Sequence, residues 1–164
     1  MSKYKINITT NKYIFLDIDG VMNSFDDYNI DGKEFKENIH NLTFLLSKRQ
    51  ISLLNNIVEK YHPKIILSSY WRNRYSLKDI QNKFEKAGFK GKINGITPSF
   101  GGEHEDRWQQ IEHYIQDNDV SEYIILDDSP LDRHNTKIPN WIRTDSYHGL
   151  DIKHLKEIDK IWEK

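Results

Sequence analysis

Cysteine is missing from the 164-residue chain, which excludes disulfides, thiolate catalysis and zinc sites built on sulfur. Also missing is any apolar run near the ~20 residues of a membrane helix, and the amino terminus has no apolar core of the kind a signal peptide carries. These absences predict a soluble, cytoplasmic protein with no membrane partner, in which the glycosylation sequon Asn41-Leu42-Thr43 is incidental. Charge of one sign is not in excess. Lys plus Arg number 24 and Asp plus Glu 25, so no global field draws the chain to nucleic acid or anionic lipid, and only a local basic patch stays open. Internal repeats, low-complexity segments and linkers are lacking too, and the length predicts one domain over 1–164.

What is present is a packable interior, with 37% hydrophobic and 12% aromatic residues. Tyr13-Ile14-Phe15-Leu16 is a continuous apolar run that suits a strand buried on both faces. It stops at Asp17-Ile18-Asp19-Gly20. Unpaired charge inside a core costs several kcal/mol or more, so the two carboxylates belong where the strand leaves the sheet. Alternation sends Asp17 and Asp19 to one side and Ile18 to the other, and Gly20 allows a sharp turn. A strand followed by Asp and Gly is also an ordinary turn; the rest of the chain decides between the two.

The same pattern recurs. Lys64-Ile65-Ile66-Leu67 runs into Ser68-Ser69, and Tyr123-Ile124-Ile125-Leu126 runs into Asp127-Asp128. Helical spacing separates these strands, from Lys48 to Tyr61, through Leu77, Ile80, Phe84 and Ala87 to a cap at Gly88, and again from Asp106 to Gln116. Residues 92–97 and Trp141-Ile142-Arg143 are weaker strand candidates, and Tyr4 to Ile8 a further short one. The carboxyl end is an amphipathic helix with Ile152, Leu155, Ile158 and Trp162 on one face. Alternating strands and helices predict an α/β fold: a three-layer, Rossmann-like sandwich around a mainly parallel sheet. Segment 24–47 has no clear period and is either a flap or small cap over the first strand's end, or an irregular connection.

In a parallel sheet the three polar strand ends lie on one edge, where ligands bind. Four carboxylates gathered there repel one another unless a hard cation neutralises them, and Mg²⁺ takes carboxylate oxygens while keeping several waters. Acids, hydroxyls, a divalent cation and a nearby basic group together suit phosphoryl transfer.

These residues resemble a known family. Asp17-Ile18-Asp19-Gly20-Val21-Met22 is similar to the first motif of the haloacid dehalogenase (HAD) superfamily, Ser68 to the second, Arg107 to the basic third and Asp127-Asp128 to the acidic fourth. Leu67-Ser68-Ser69-Tyr70-Trp71-Arg72, with Thr144-Asp145 and Gly149-Leu150 later, resembles the HAD branch of Swiss-army-knife RNA repair proteins. The resemblance implies a phosphatase with Asp17 as nucleophile and Asp19 as general acid and base. It implies phosphoryl contacts from Ser68 and Arg107, and Mg²⁺ bound by Asp17, the Asp19 main-chain carbonyl and Asp127, with Asp128 as a further ligand or a group behind the ligands. Arg107 stands where Lys is commoner, and Lys92 is its rival for the role.

Asn23, Ser69, Trp71 and Arg72 are candidates for substrate contact. Trp71 and the arginines either stack a base and grip a backbone phosphate, or pack in the core and form salt bridges. Glu103-His104-Glu105 reads as solvated, since adjacent residues do not share a face. The expected substrate is phosphorylated, a nucleotide or a nucleic-acid 3′ end, with a small-metabolite phosphatase, phosphotransfer to another acceptor and a non-catalytic binding module as rivals. No obligate protein partner is implied.

Overall fold

The computed structural model describes residues 11–30, 46–100, 106–132 and 137–164. The expected strand at 4–8, the middle of segment 24–47 and the 103–105 cluster lie outside them. Among the described residues five strands form one sheet: β1 (Lys12–Leu16), β2 (Lys64–Leu67), β3 (Ile93–Ile96), β4 (Glu122–Asp127) and β5 (Trp141–Arg143). Their order is β3-β2-β1-β4-β5 and every pairing is parallel. The Asp-x-Asp strand is therefore central, flanked by the strands that carry the Ser-Ser and Asp-Asp ends.

Continuous apolar strands are required because both sheet faces are covered. Ile14, Leu16, Ile65, Leu67, Ile124 and Leu126 face one core, filled by α2 (Lys48–Tyr61), α3 (Leu77–Lys86) and α5 (Ile152–Trp162). Tyr13, Phe15, Ile66 and Ile125 face the other, against Ile111 of α4 (Arg107–Asp117). Each fully buried Ile or Leu of the sheet contributes roughly 1.5–3 kcal/mol.

The helices start and stop where local chemistry dictates. The α3 helix begins at Ser76, whose hydroxyl accepts the Asp79 N–H, and closes as Gly88 enters the left-handed region at φ +99°. The buried face of α5 differs from the expected one. Ile152 is 63% exposed, and His154 is buried in its stead beside Ile158 and Trp162. The reason is capping: His154 Nδ1 accepts the Asp151 N–H at 2.9 Å, which folds the ring back onto the helix start. Burial holds the His154 pKa below its ordinary value, as a neutral acceptor requires.

Both described ends of segment 24–47 dock beside the sheet's carboxyl edge. The short helix α1 (Phe25–Ile30) is tied to the loop after β5 by Phe25 N–H to Ser146 O and Asp26 N–H to Tyr147 O, each 3.0 Å, while Ser47 N–H bonds Met22 O at 2.9 Å.

Candidate active site

At the carboxyl edge lies a cavity of about 370 Å³ lined by Asp17, Asp19, Asn23, Ser69, Arg107 and Asp128, with Phe25, Tyr70, Ser129 and Ser146 toward its rim. The strand ladder persists one residue past β1, since Asp17 N–H bonds Leu126 O at 3.0 Å, and then breaks as Val21 and Met22 turn back onto Ile18 O. Ile18 is fully buried in the core, so the alternation expected of Asp17, Ile18 and Asp19 holds at the cavity. Gly20 completes the turn at φ +73°. A Cβ there would sit 2.2 Å from Asp128 Oδ2, so glycine is needed both for the backbone and for the approach of the fourth strand's acid.

Asp17 is 5% exposed and Asp127 wholly buried. Between them lies Arg107, whose Nη1 is 2.6 Å from Asp17 Oδ2 and 2.7 Å from Asp127 Oδ2. The guanidinium is delivered by the first residue of α4, where Trp108 N–H bonds Leu131 O in the loop after β4. The Arg107 side chain thus lies against both acids, whereas Lys92 is exposed one residue before β3. One nitrogen serves both acids, unlike the two-nitrogen fork usual for Arg and carboxylate.

One cation does not balance this group. Burial raises the Asp17 pKa, against Arg107, the Ile18 N–H and the Ser69 hydroxyl, which favour the anion. Burial and the Asp17 charge together push Asp127 up to about 7, against Arg107 and the Ser129 N–H. Arg107 is held above its ordinary value: burial disfavours its charge, but Asp17 and Asp127 outweigh that. Asp17, Asp127 and Asp128 each offer an oxygen within 4.8 Å of the others. Three carboxylates against one guanidinium leave a negative excess among hard oxygen donors, and a divalent cation fits both charge and chemistry. Asp128 is steadied for this by hydroxyls, with Ser146 Oγ 2.8 Å from Oδ2 and Ser129 Oγ 3.1 Å from Oδ1.

Asp19 is treated differently. Its carboxylate lies outside the acidic trio, with Asn23 Nδ2 2.9 Å from Oδ1 and Trp71 Nε1 3.1 Å from Oδ2.

Several expectations need correction. Ser68, expected at the phosphate, does not line the cavity. Its N–H still bonds Leu16 O in the sheet ladder, and its fully buried hydroxyl finds no hydrogen-bond partner among the described residues. The chain leaves the sheet one residue later, so Ser69 faces the cavity and bonds Asp17. Of the two readings of Trp71, packing in the core is the one that holds, since it is 3% exposed, and the stacking platform is removed. Arg72 turns away, bonding Thr97 Oγ1 at 2.6 Å and Gln110 Oε1, and lines a separate depression near Thr97 and Asn118. Asn23 lines the cavity, but its amide is spent on Asp19 and on the Gly20 N–H, 2.9 Å from Oδ1.

Two exposed aromatics stand at the mouth, Phe25 and Tyr70, the latter with the Arg107 guanidinium 5.0 Å from its ring centre. Thr144, Ser146 and Ser129 had no assigned role in the sequence. Thr144 Oγ1 bonds Gly20 O at 2.8 Å. Their signal was position: they follow β4 or β5 on the same sheet edge as the acids.

A buried acid at the end of the central parallel strand, a second acid two residues on and a basic residue bridging the first to the buried acid of the neighbouring strand are the arrangement of a HAD-type phosphohydrolase, whose substrate carries a phosphoryl group. The comparison with protein families makes this more particular. A model of the HAD domain in Swiss Army Knife RNA repair proteins matches residues 13–155, and the chain belongs to that family. Comparisons with curated proteins and with solved structures return no match. No helix among the described residues is long and apolar enough to cross a membrane.

Proposed function

We propose that this chain is a Mg²⁺-dependent phosphomonoesterase that works through an aspartyl-phosphate on Asp17 and acts on nucleotides or nucleic-acid 3′-phosphate ends. The observation that carries the reading is the Arg107 bridge between Asp17 and Asp127 in the buried part of one cavity, with Asp19 held separately beside it. Asp17, Asp127 and Asp128 would hold the cation, with the Asp19 main-chain carbonyl as a fourth donor. When bound, it would neutralise charge on the phosphoryl oxygens.

The roles of the protein's own groups follow from their surroundings. Asp17 attacks phosphorus, splitting hydrolysis into transfer and release. Asp19 protonates the leaving oxygen and then takes a proton from the attacking water. Ser69, in place of Ser68, and Arg107 donate to the phosphoryl oxygens, with backbone N–H groups of the turn after Asp17. Tyr70 and Phe25, both exposed, offer faces on which a base stacks. That rim, with the family's association with RNA repair, favours nucleotide substrates over sugar phosphates.

The test is phosphate release with Mg²⁺ from 3′-phosphorylated oligonucleotides, mononucleotides and sugar phosphates, with Asp17→Asn as control. Nucleotide or oligonucleotide ends are expected to turn over fastest. Turnover confined to sugar phosphates overturns the substrate assignment, and phosphate release from none of them overturns the enzymatic one.

A further inference from the structure

The carboxylate of Asp19 is gripped at both oxygens by neutral N–H donors, and each donor is itself fixed from behind. Trp71 is buried in the core against the Tyr75 ring, 5.8 Å between centres, so its indole N–H points where packing puts it. Asn23 is 5% exposed and anchored by its other end, since Oδ1 accepts the Gly20 N–H. Only one orientation of that amide serves both partners, because the reverse would set Oδ1 against the Asp19 carboxylate. With one donor on each oxygen, Asp19 cannot rotate without breaking both bonds.

We propose that Trp71 and Asn23 are positioning residues that aim Asp19 at the ester oxygen, which rests on the hydrolase reading above. In the first step an Asp17 oxygen bonds to phosphorus, the bond from phosphorus to the ester oxygen breaks, and that oxygen takes the Asp19 proton and leaves as an alcohol. In the second step water bonds to phosphorus, its proton passes to Asp19, the Asp17–phosphorus bond breaks and inorganic phosphate departs. Ester and water become alcohol and phosphate, and both acids return to their starting states. The first proton transfer matters in proportion to the basicity of the leaving oxygen. An alkoxide needs it; a dinitrophenolate does not.

Accurate aim is therefore visible as leaving-group sensitivity. The test measures kcat/KM, which covers transfer to Asp17 and not the later hydrolysis, on β-glycerophosphate and on 2,4-dinitrophenyl phosphate with Mg²⁺. Trp71→Phe keeps a ring and removes the N–H. It is expected to lose about tenfold more on the glycerol ester than on the dinitrophenyl ester. Added to Asp19→Asn, it is expected to lower glycerol-ester turnover by less than about twofold further, because the group it aims is already gone. Equal losses on both esters, or a full further loss on top of Asp19→Asn, would reduce Trp71 to packing and overturn the proposal. Asn23→Asp keeps an acceptor for Gly20 while removing the donor, and the same ratio decides it where Trp71→Phe does not fold. A wild-type protein inactive on both esters and on the nucleotide and sugar phosphates above overturns the hydrolase reading and this inference with it. For a wild type active on nucleotides alone, the further loss on top of Asp19→Asn is read on a nucleoside 3′-phosphate. An active wild type with unsplit variants, or with a full further loss, overturns the inference alone.

Discussion

Asp17 and Asp19 leave one strand two residues apart, and the protein handles them in opposite ways. Asp17 sits in the buried half of the site, where a full positive charge on Arg107 and a second acid, Asp127, dominate its surroundings. Asp19 sits in the more open half and is held by dipoles, an amide and an indole, with no cation on it among the described residues. The difference teaches that identical side chains acquire separate chemistry from their neighbours. Charge pairing makes the first half sensitive to ionisation and to metal, whereas dipolar holding makes the second sensitive to orientation.

The most severe break falls on the buried half. Asp17→Asn removes the proposed nucleophile, and phosphate release is expected to drop by about 10³-fold or more with circular dichroism unchanged. Arg107→Ala, next in size, leaves two buried acids without their partner and is expected to cost about 10²-fold in kcat/KM. Arg107→Lys sharpens the point: because a single nitrogen touches both acids, an ammonium can replace it, and turnover is expected to stay within about tenfold of wild type. Gly20→Ala tests the seam between the halves. A left-handed residue and a Cβ 2.2 Å from Asp128 Oδ2 are expected to cost about 1–3 kcal/mol in chemical denaturation, with activity lost through displacement of Asp128.

The smallest effect is the most specific to charge. Asp127 titrates near 7 in the folded metal-free protein against 3.8 for the free side chain, so between those values the folded state holds more protons than the unfolded one. Its contribution is full below pH 3.8 and is lost as pH rises toward 7. Metal-free Tm is therefore expected to fall across that window through this group. Added Mg²⁺ displaces protons and is expected to raise Tm more at pH 8 than at pH 5, as differential scanning fluorimetry with and without chelator would show. An increment independent of pH would mean that the acidic trio does not hold the ion.

Much of this was legible in the residues. Apolar runs ending in Asp17, Ser68 and Asp127 marked three parallel strands and the edge they share, because a strand covered on both faces must be apolar until it leaves the sheet. Legibility failed where one residue of register mattered. Ser68 and Ser69 are the same residue type in adjacent positions, and only the ladder bond from Ser68 N–H to Leu16 O decides which hydroxyl stays inside. At Tyr70-Trp71-Arg72 the residues left two readings open, and only the turn after β2 decided between them: it exposes the Tyr, buries the Trp in the core and sends the Arg to Thr97 and Gln110.

By itself, the order of residues determined the layered α/β architecture, the absence of sulfur chemistry and the identity of the acids at the strand ends, since each depends on patterns within a few neighbouring positions. Tertiary structure alone decided which groups meet. Arg107 reaches across 90 positions to Asp17, and an indole 52 positions from Asp19 donates to it, because the sheet order sets β1 between β2 and β4 and packing aims the side chains that follow them.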